Sequence, residues 1–417
     1  MGTAFAGTLL SRACAPLNFA ESGDAAASCT RAIVTKCVVS ELWAMDYAEF
    51  FEEVTDYRET GRCLHELSDI LLLVLCGLLA DCETFEEIYD YACDKEATLR
   101  EFMDLPAGIP SHDTLNRVFR HLDPVELERC LTQWGKRWSN CWPGDSSLST
   151  ANRLRGTTVR GRRQASVQLV SVWAADQRLC LAQSQVAAKR NELAAIPQVL
   201  DQVDVAGSVV SLDAMGCQRD VATLLVERGA DYVLALKQNQ GELHAQVAAH
   251  FAPLLAQAAA HTHREKGHGR GEVRRVWVSQ DLGLVDAGTG WAGLRTLVCV
   301  QTTRWLDGQA QPATRYFLSS LAGASAATLA SYIRGHWGIE NQQHWHLDIT
   351  FAEDACTCRR DHGPRNLSTM RKLALTLLQR LPLKMSLKRK RKKAARDDGF
   401  LHQLLAQLPT AEIPAQG

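Results

Sequence analysis

Between residues 45 and 138 the apolar positions recur at helical spacing: Leu64, Leu67, Ile70, Leu71 and Val74, then Phe85, Ile88 and Tyr89, then Leu115, Val118, Phe119 and Leu122. Residues 70–80 are apolar throughout apart from Gly77, yet span about half the length that crosses a bilayer, so they predict a buried helix and no membrane partner. Pro110, Ser111, His112 and Asp113 supply a turn and an N-cap for a helix over 114–121. Such helices make either a small bundle or a helix-turn-helix-like DNA reader, and both readings stay open.

Beyond residue 165 the period changes. Residues 167–173 and 179–186 read as strands around a turn at 175–178, followed by a helix over 192–200. A buried strand over 208–212, a helix over 217–228 and a strand over 231–236 come next. Residues 261–275 are crowded with His, Lys, Arg and Gly; a strand over 316–321 then precedes helices over 326–345 and 367–378. Strand alternating with helix implies a mixed α/β sheet, whose active residues gather at the carboxyl ends of strands.

At 417 residues the chain is long enough for two or three domains. Its 46 Lys and Arg nearly cancel 47 Asp and Glu, so the overall charge favours no partner, and only local runs point to a polyanion. One run spans 153–163; another, 384–393, includes Lys388, Arg389, Lys390, Arg391, Lys392 and Lys393. These six read either as phosphate contacts or as a solvated face. Fourteen cysteines scattered without a CxxC pair fit a reducing cytoplasm, and the Cys356/Cys358 pair has no partner pair at zinc spacing. Residues 1–44 lack a sustained period, whereas Met45 leads straight into an acidic, aromatic stretch, so 1–44 are expected to be a wrongly counted extension or a disordered arm.

Two carboxylates stand where chemistry would need them. Asp213 directly follows the strand over 208–212, at the point where a buried sheet opens to solvent. Glu340 lies in GHWGIEN, on a helix where spacings of four align His336, Glu340 and His344. Carboxylates from separated segments suit Mg²⁺, and two such ions can activate an attacking oxygen and stabilise a leaving one on a phosphodiester. By spacing alone, Asp213 is equally a turn former and Glu340 a solvated charge.

Several segments carry a resemblance. Residues 212–218 (LDAMGCQ), 231–244 (DYVLALKQNQGELH), 335–345 (GHWGIENQQHW), 347–355 (LDITFAEDA) and 386–398 (SLKRKRKKAARDD) resemble the H-repeat-associated group of bacterial DDE transposases. Residues 110–123 (PSHDTLNRVFRHLD) are similar to that family's amino-terminal associated domain. The resemblance covers about Met45 to Leu405. It implies an α/β, RNase H-like mixed-sheet core with an N-terminal helical domain and a basic C-terminal helical tail. It implies Asp213 as second acid and Glu340 as last, Mg²⁺ or Mn²⁺ as cofactor, and double-stranded DNA, the element's ends and its target, as substrate, with a homo-oligomer expected on the DNA. Lys237, His336, Trp337 and Asn341 are candidates for positioning that DNA, although the Trp and His serve equally well as core packing. The expected domains are a helical one over 45–138, an aberrant segment over 139–164, a catalytic one over 165–380 and a basic tail over 381–417.

The aberrant segment falls where the first acid belongs. The family carries Asp-Gly-Lys on a strand here, whereas this chain reads Ser149-Thr150-Ala151-Asn152. Codons ATC GAC GGC AAA CGC for Ile-Asp-Gly-Lys-Arg, read one base late, give Ser-Thr-Ala-Asn. A local frameshift, entered near Lys136 to Trp138 and closed by Arg153, is therefore expected, with Asp145 as the competing source of the acid. A DNA-binding remnant and a nuclease without a transposition role are the other readings.

Overall fold

A computed structural model describes residues 48–51, 54–59, 61–138, 149–153, 168–175, 178–186, 192–267, 270–283, 290–306 and 309–408. The expectations for residues 1–44 and for Asp145, and most of those for 139–164, lie outside the described residues. The described residues belong to the compact unit Asp46–Gly417.

The first helix, α1 (Leu67–Leu79), is apolar all round and buried along nearly its whole length, as such a helix must be. It meets α2 (Phe85–Asp94) closely at Gly77, where a β-carbon would stand 2.7 Å from Ile88 Cγ1. Thr84 and Glu87 form a reciprocal capping box that starts α2. The short α3 (Glu96–Leu99) follows, then α4 (His112–His121), whose N-cap Ser111 accepts from the Thr114 N–H, and α5 (Pro124–Trp138).

Strands β1 (Ser149–Arg153), β2 (Gln168–Ala174) and β3 (Leu179–Val186) form an antiparallel sheet in chain order. After α6 (Glu192–Leu200) comes β4 (Val209–Leu212), which pairs in parallel with β5 (Asp231–Leu236) across α7 (Arg219–Glu227). Beyond α8 (Gly241–Phe251), strands β6 (His261–Gly267), β7 (Arg270–Ser279), β8 (Thr296–Leu306) and β9 (Gln309–Ser319) complete a second sheet. Its order is β4-β5-β9-β8-β7-β6. Strand β1 lies beside β4, so successive strands run away from this seam on both sides. Ligands of α/β sheets collect at such reversals.

The expected single helix over 326–345 is instead broken. Helix α9 (Ala326–His336) stops at Trp337, and a π-helical turn, Glu340–His344, leads into α10 (Trp345–Ile349). A π turn adds a residue to the helical repeat. The i, i+4 alignment of His336, Glu340 and His344 is thereby lost: Glu340 is exposed while His344 turns largely inward.

Both ends of the described chain share one helical core. Helix α11 (Gly363–Arg380) packs against α1, α4, α5 and β3, and Asn366 donates to the carbonyls of Phe119 and Leu122 at the end of α4. Helices α12 (Leu387–Ala394) and α13 (Asp398–Leu405) close over it. The basic run on α12 is divided by this packing, which corrects the expectation that all six residues face phosphate or solvent. Lys390 is buried and donates to the carbonyls of Leu378 and Leu381, both at 2.6 Å. Arg391 is fully buried; it donates to the carbonyls of Leu78, Cys82 and Thr350, pairs with Asp81 at 3.1 Å and lies over the Phe351 ring. Helical periodicity explains the division, because 387, 390, 391 and 394 share the inner face while Lys388, Arg389, Lys392 and Lys393 stay exposed.

Candidate active site

Strand β4 is buried on both faces, and Asp213 is the first residue beyond its carboxyl end. Its Oδ1 accepts from the backbone N–H groups of Met215 (3.1 Å) and Gly216 (3.3 Å), so the carboxylate shapes its own turn. Gly216 cannot carry a side chain here, since a β-carbon would come within 2.8 Å of Leu212 Cβ. Burial, helped by the Asp213 charge, pushes the adjacent Cys217 thiol up to about 12, which leaves it unreactive. From the parallel neighbour, Asn239 donates to the Ala214 carbonyl at 2.6 Å and Gln240 to the Cys217 carbonyl at 3.1 Å. Lys237, the first residue after β5, is exposed at the same edge of the sheet.

The Glu340 segment is fastened to this edge by its neighbours. His336 Nδ1 lies 3.3 Å from the Ser211 hydroxyl, two residues before Asp213. Ile339 and Gln343 are buried to either side of the exposed Glu340. On the far side, Gln379 of α11 donates to the Gln342 carbonyl at 2.7 Å. Burial, and secondarily the charge of Lys372, hold His344 down to about 4, so it is neutral at physiological pH. Arg315 sits 4.8 Å from the centre of the half-exposed Trp337 ring, and Asn341 donates to the Trp337 carbonyl. Four buried polar atoms on this turn, Gln342 Oε1, Gln343 Oε1 and Nε2, and His344 Nε2, have no hydrogen-bond partner. π turns are frequent at functional sites.

Strand β1 brings no acid to the seam. It pairs with β2 through Ser149 opposite Ser171 and Ala151 opposite Val170, which makes Thr150 the extra residue of a β-bulge. Behind β2, the buried Lys372 donates to Ser171 Oγ at 3.0 Å and to Gln183 Oε1. Gln183 in turn donates to Glu128, which holds Arg365 at 2.5 Å. Neither Ser211 nor Lys372 was singled out from the sequence, because a lone serine in an apolar strand and a lysine in a helix carry no spacing signal.

Among the described residues no three His, Cys, Asp or Glu side chains converge as metal ligands. Asp213 and Glu340 offer hard oxygen donors suited to Mg²⁺, but the strand beside them adds none.

The chain matches the family model described as DDE_Tnp_1-associated over residues 48–135. It matches the model described as Transposase DDE domain over 132–377, more than half its length. It is 32% identical over 368 residues to "H repeat-associated putative transposase YhhI" of Escherichia coli (strain K12), covering 86% of this chain and 97% of that one. It is 39% identical over 283 residues to "Uncharacterized protein in dhlA 3'region" of Xanthobacter autotrophicus, covering 65% and 93% respectively. Among solved structures it is similar to the piggyBac transposase synaptic complex with hairpin DNA, at 11% identity and a TM-score of 0.40, over 93% of this chain and 82% of that one. By its family models and its near full-length relatives, the chain belongs to the DDE transposases, an enzyme family, with a DDE-associated helical region ahead of the transposase domain.

Proposed function

We propose that this chain is an insertion-sequence transposase whose strand-cleaving chemistry is impaired by the loss of its first acid. The observation that carries the reading is the seam itself: a strand without a carboxylate, bulged at Thr150, lies beside the strand that leads into Asp213. An RNase H-like core accounts for this arrangement of an antiparallel meander beside a parallel pair. In the intact reaction Asp213 and Glu340 would hold Mg²⁺ or Mn²⁺, which supplies activation of the attacking oxygen and stabilisation of the leaving one. The substrate would be double-stranded DNA at the element's ends and then at the target, handled by a homo-oligomer.

The roles left to the side chains are holding and orienting. Asp213 is presented by its own turn; Glu340 is presented by a segment tied to β4 through His336 and to α11 through Gln379. Lys237, Trp337 and Asn341 lie exposed and are available to a phosphate backbone, as are Lys388, Arg389 and Lys392, whereas Lys393 is paired with Asp397 at 3.4 Å and lies over the Phe400 ring. His336 is better explained as the fastening of α9 than as a DNA contact.

The test uses a gene whose reading frame is restored across codons 136–153, so that Ile-Asp-Gly-Lys stands at 149–152. In that background Asp213→Asn and Glu340→Gln should each abolish Mg²⁺-dependent nicking of DNA carrying the element's ends while leaving its binding intact. Nicking that survives both substitutions would remove these residues from the site. A DNA-binding remnant is favoured for the unrepaired chain by the same missing acid.

A further inference from the structure

A second cationic feature stands apart from the seam and from the α12 run. Helix α4 and the loop over 356–361 enclose a half-open cleft of about 430 Å³, lined by Arg117, Arg120, Arg359 and Arg360 with Asp113 at its edge. Its walls are fixed. Arg120 forms an ion pair with Asp361 at 2.6 Å, and its carbonyl accepts the His362 N–H at 3.2 Å, which fastens the loop to the helix. Asp361 adopts a left-handed backbone with φ of 52°, held there by that pairing. The loop also packs tightly on the start of α11, where a β-carbon on Gly363 would stand 2.4 Å from Cys358 Sγ.

The charge in this cleft is not cancelled. Asp361 occupies Arg120, but Arg117, Arg359 and Arg360 are exposed and form no ion pair among the described residues. Three guanidinium groups without an ion-pair partner line the cleft beside one carboxylate, Asp113, on walls locked together by Arg120 and Asp361, and make an anion site. Guanidinium forks match phosphate oxygens, and rigid walls reduce the ordering cost of binding. The cleft opens to solvent and is lined mainly by charged and polar groups, which suits a phosphodiester backbone passing across it.

We infer that Arg117, Arg359 and Arg360 form a clamp on the phosphate backbone of duplex DNA, joining the DDE-associated region to the loop that follows the Glu340 segment. The inference rests on the reading that DNA is this chain's substrate. The clamp serves register, not sequence: backbone contacts orient a duplex without reading its bases.

The test measures binding of fluorescent duplexes, one carrying the element's ends and one unrelated, to the full chain over a range of salt concentrations. Arg117→Ala, Arg359→Ala and Arg360→Ala together should weaken both duplexes by roughly tenfold to a hundredfold and lower the slope of log affinity against log salt by about 2 to 3, at about 0.9 per phosphate contact. The pair Arg359→Gln and Arg360→Gln, which lies outside every helix, guards against misfolding and should lower the slope by about 2. A parent chain that binds both duplexes, with variants that match its affinity and slope, overturns the clamp alone. A parent chain that binds neither duplex overturns the reading of DNA as substrate and the clamp with it. Loss confined to single-stranded RNA, with duplex binding unchanged, also overturns the clamp.

Discussion

Ser211 and His336 meet at 3.3 Å across 125 residues of sequence, joining the strand that presents Asp213 to the helix that leads into Glu340. Ser211 is buried in the middle of β4, and the contact is part-buried, so it ties two acid-bearing segments through one side-chain bond.

Removing that bond should cost stability. Ser211→Ala is expected to lower the free energy of unfolding by about 1 kcal/mol, the usual net value of a hydrogen bond in a folded protein. Urea denaturation of the purified chain measures it. A midpoint equal to that of the parent would show that the contact holds nothing together.

Within the basic run the outcomes should diverge. Arg391→Ala leaves the carbonyls of Leu78, Cys82 and Thr350 without their donor and Asp81 without its partner, and should destabilise by about 3 kcal/mol or more. Arg391→Lys should rescue little, because an ammonium cannot span three carbonyls. Lys388, Arg389 and Lys392 changed to Ala should leave stability within about 0.5 kcal/mol and instead flatten the salt dependence of DNA binding. Thermal melts and binding isotherms on the same samples separate the two effects.

The sequence made the strands and helices around Asp213 legible: apolar runs with turn residues at their ends give β3, β5 and α6 with the bounds expected, and the neighbouring elements within two residues. It hid the hairpin β6–β7 and strand β8, because charged and polar residues interrupt their alternation on a sheet that is only partly covered. Only the inner end of β9 was visible, since its first seven residues are exposed and carry no large apolar side chain. Asp213 and Glu340 are candidates through family resemblance; spacing alone leaves each ambiguous. The division of the 388–393 run was hidden because a buried Arg and an exposed Lys have the same composition signal, and only helical phase against α1 and α11 separates them.

Acid should weaken the fold through His344. Its folded value, near 4, lies below the ordinary value of 6.5, so the unfolded chain binds more protons between those limits. Stability is therefore full above about pH 6.5 and falls as the pH drops toward 4, by on the order of 3 kcal/mol for this residue. His346, also lowered by burial, adds to the fall. His344→Gln should reduce the slope of unfolding free energy against pH in this window, and an unaltered slope would mean that the imidazole takes up its proton without leaving the fold.

The most direct measurement compares strand cleavage by the chain as written with cleavage by the frame-restored chain, on DNA carrying the element's ends, in Mg²⁺. Without a carboxylate from β1, Asp213 and Glu340 would be left to hold the cation that orients the attacking oxygen, and errors of about 1 Å in such geometry cost on the order of a hundredfold in rate. The chain with Thr150 should show little or no cleavage, and the chain with Asp in its place a gain of at least that size. Equal cleavage by the two chains would contradict it and would require Asp145, or another acid, to complete the site.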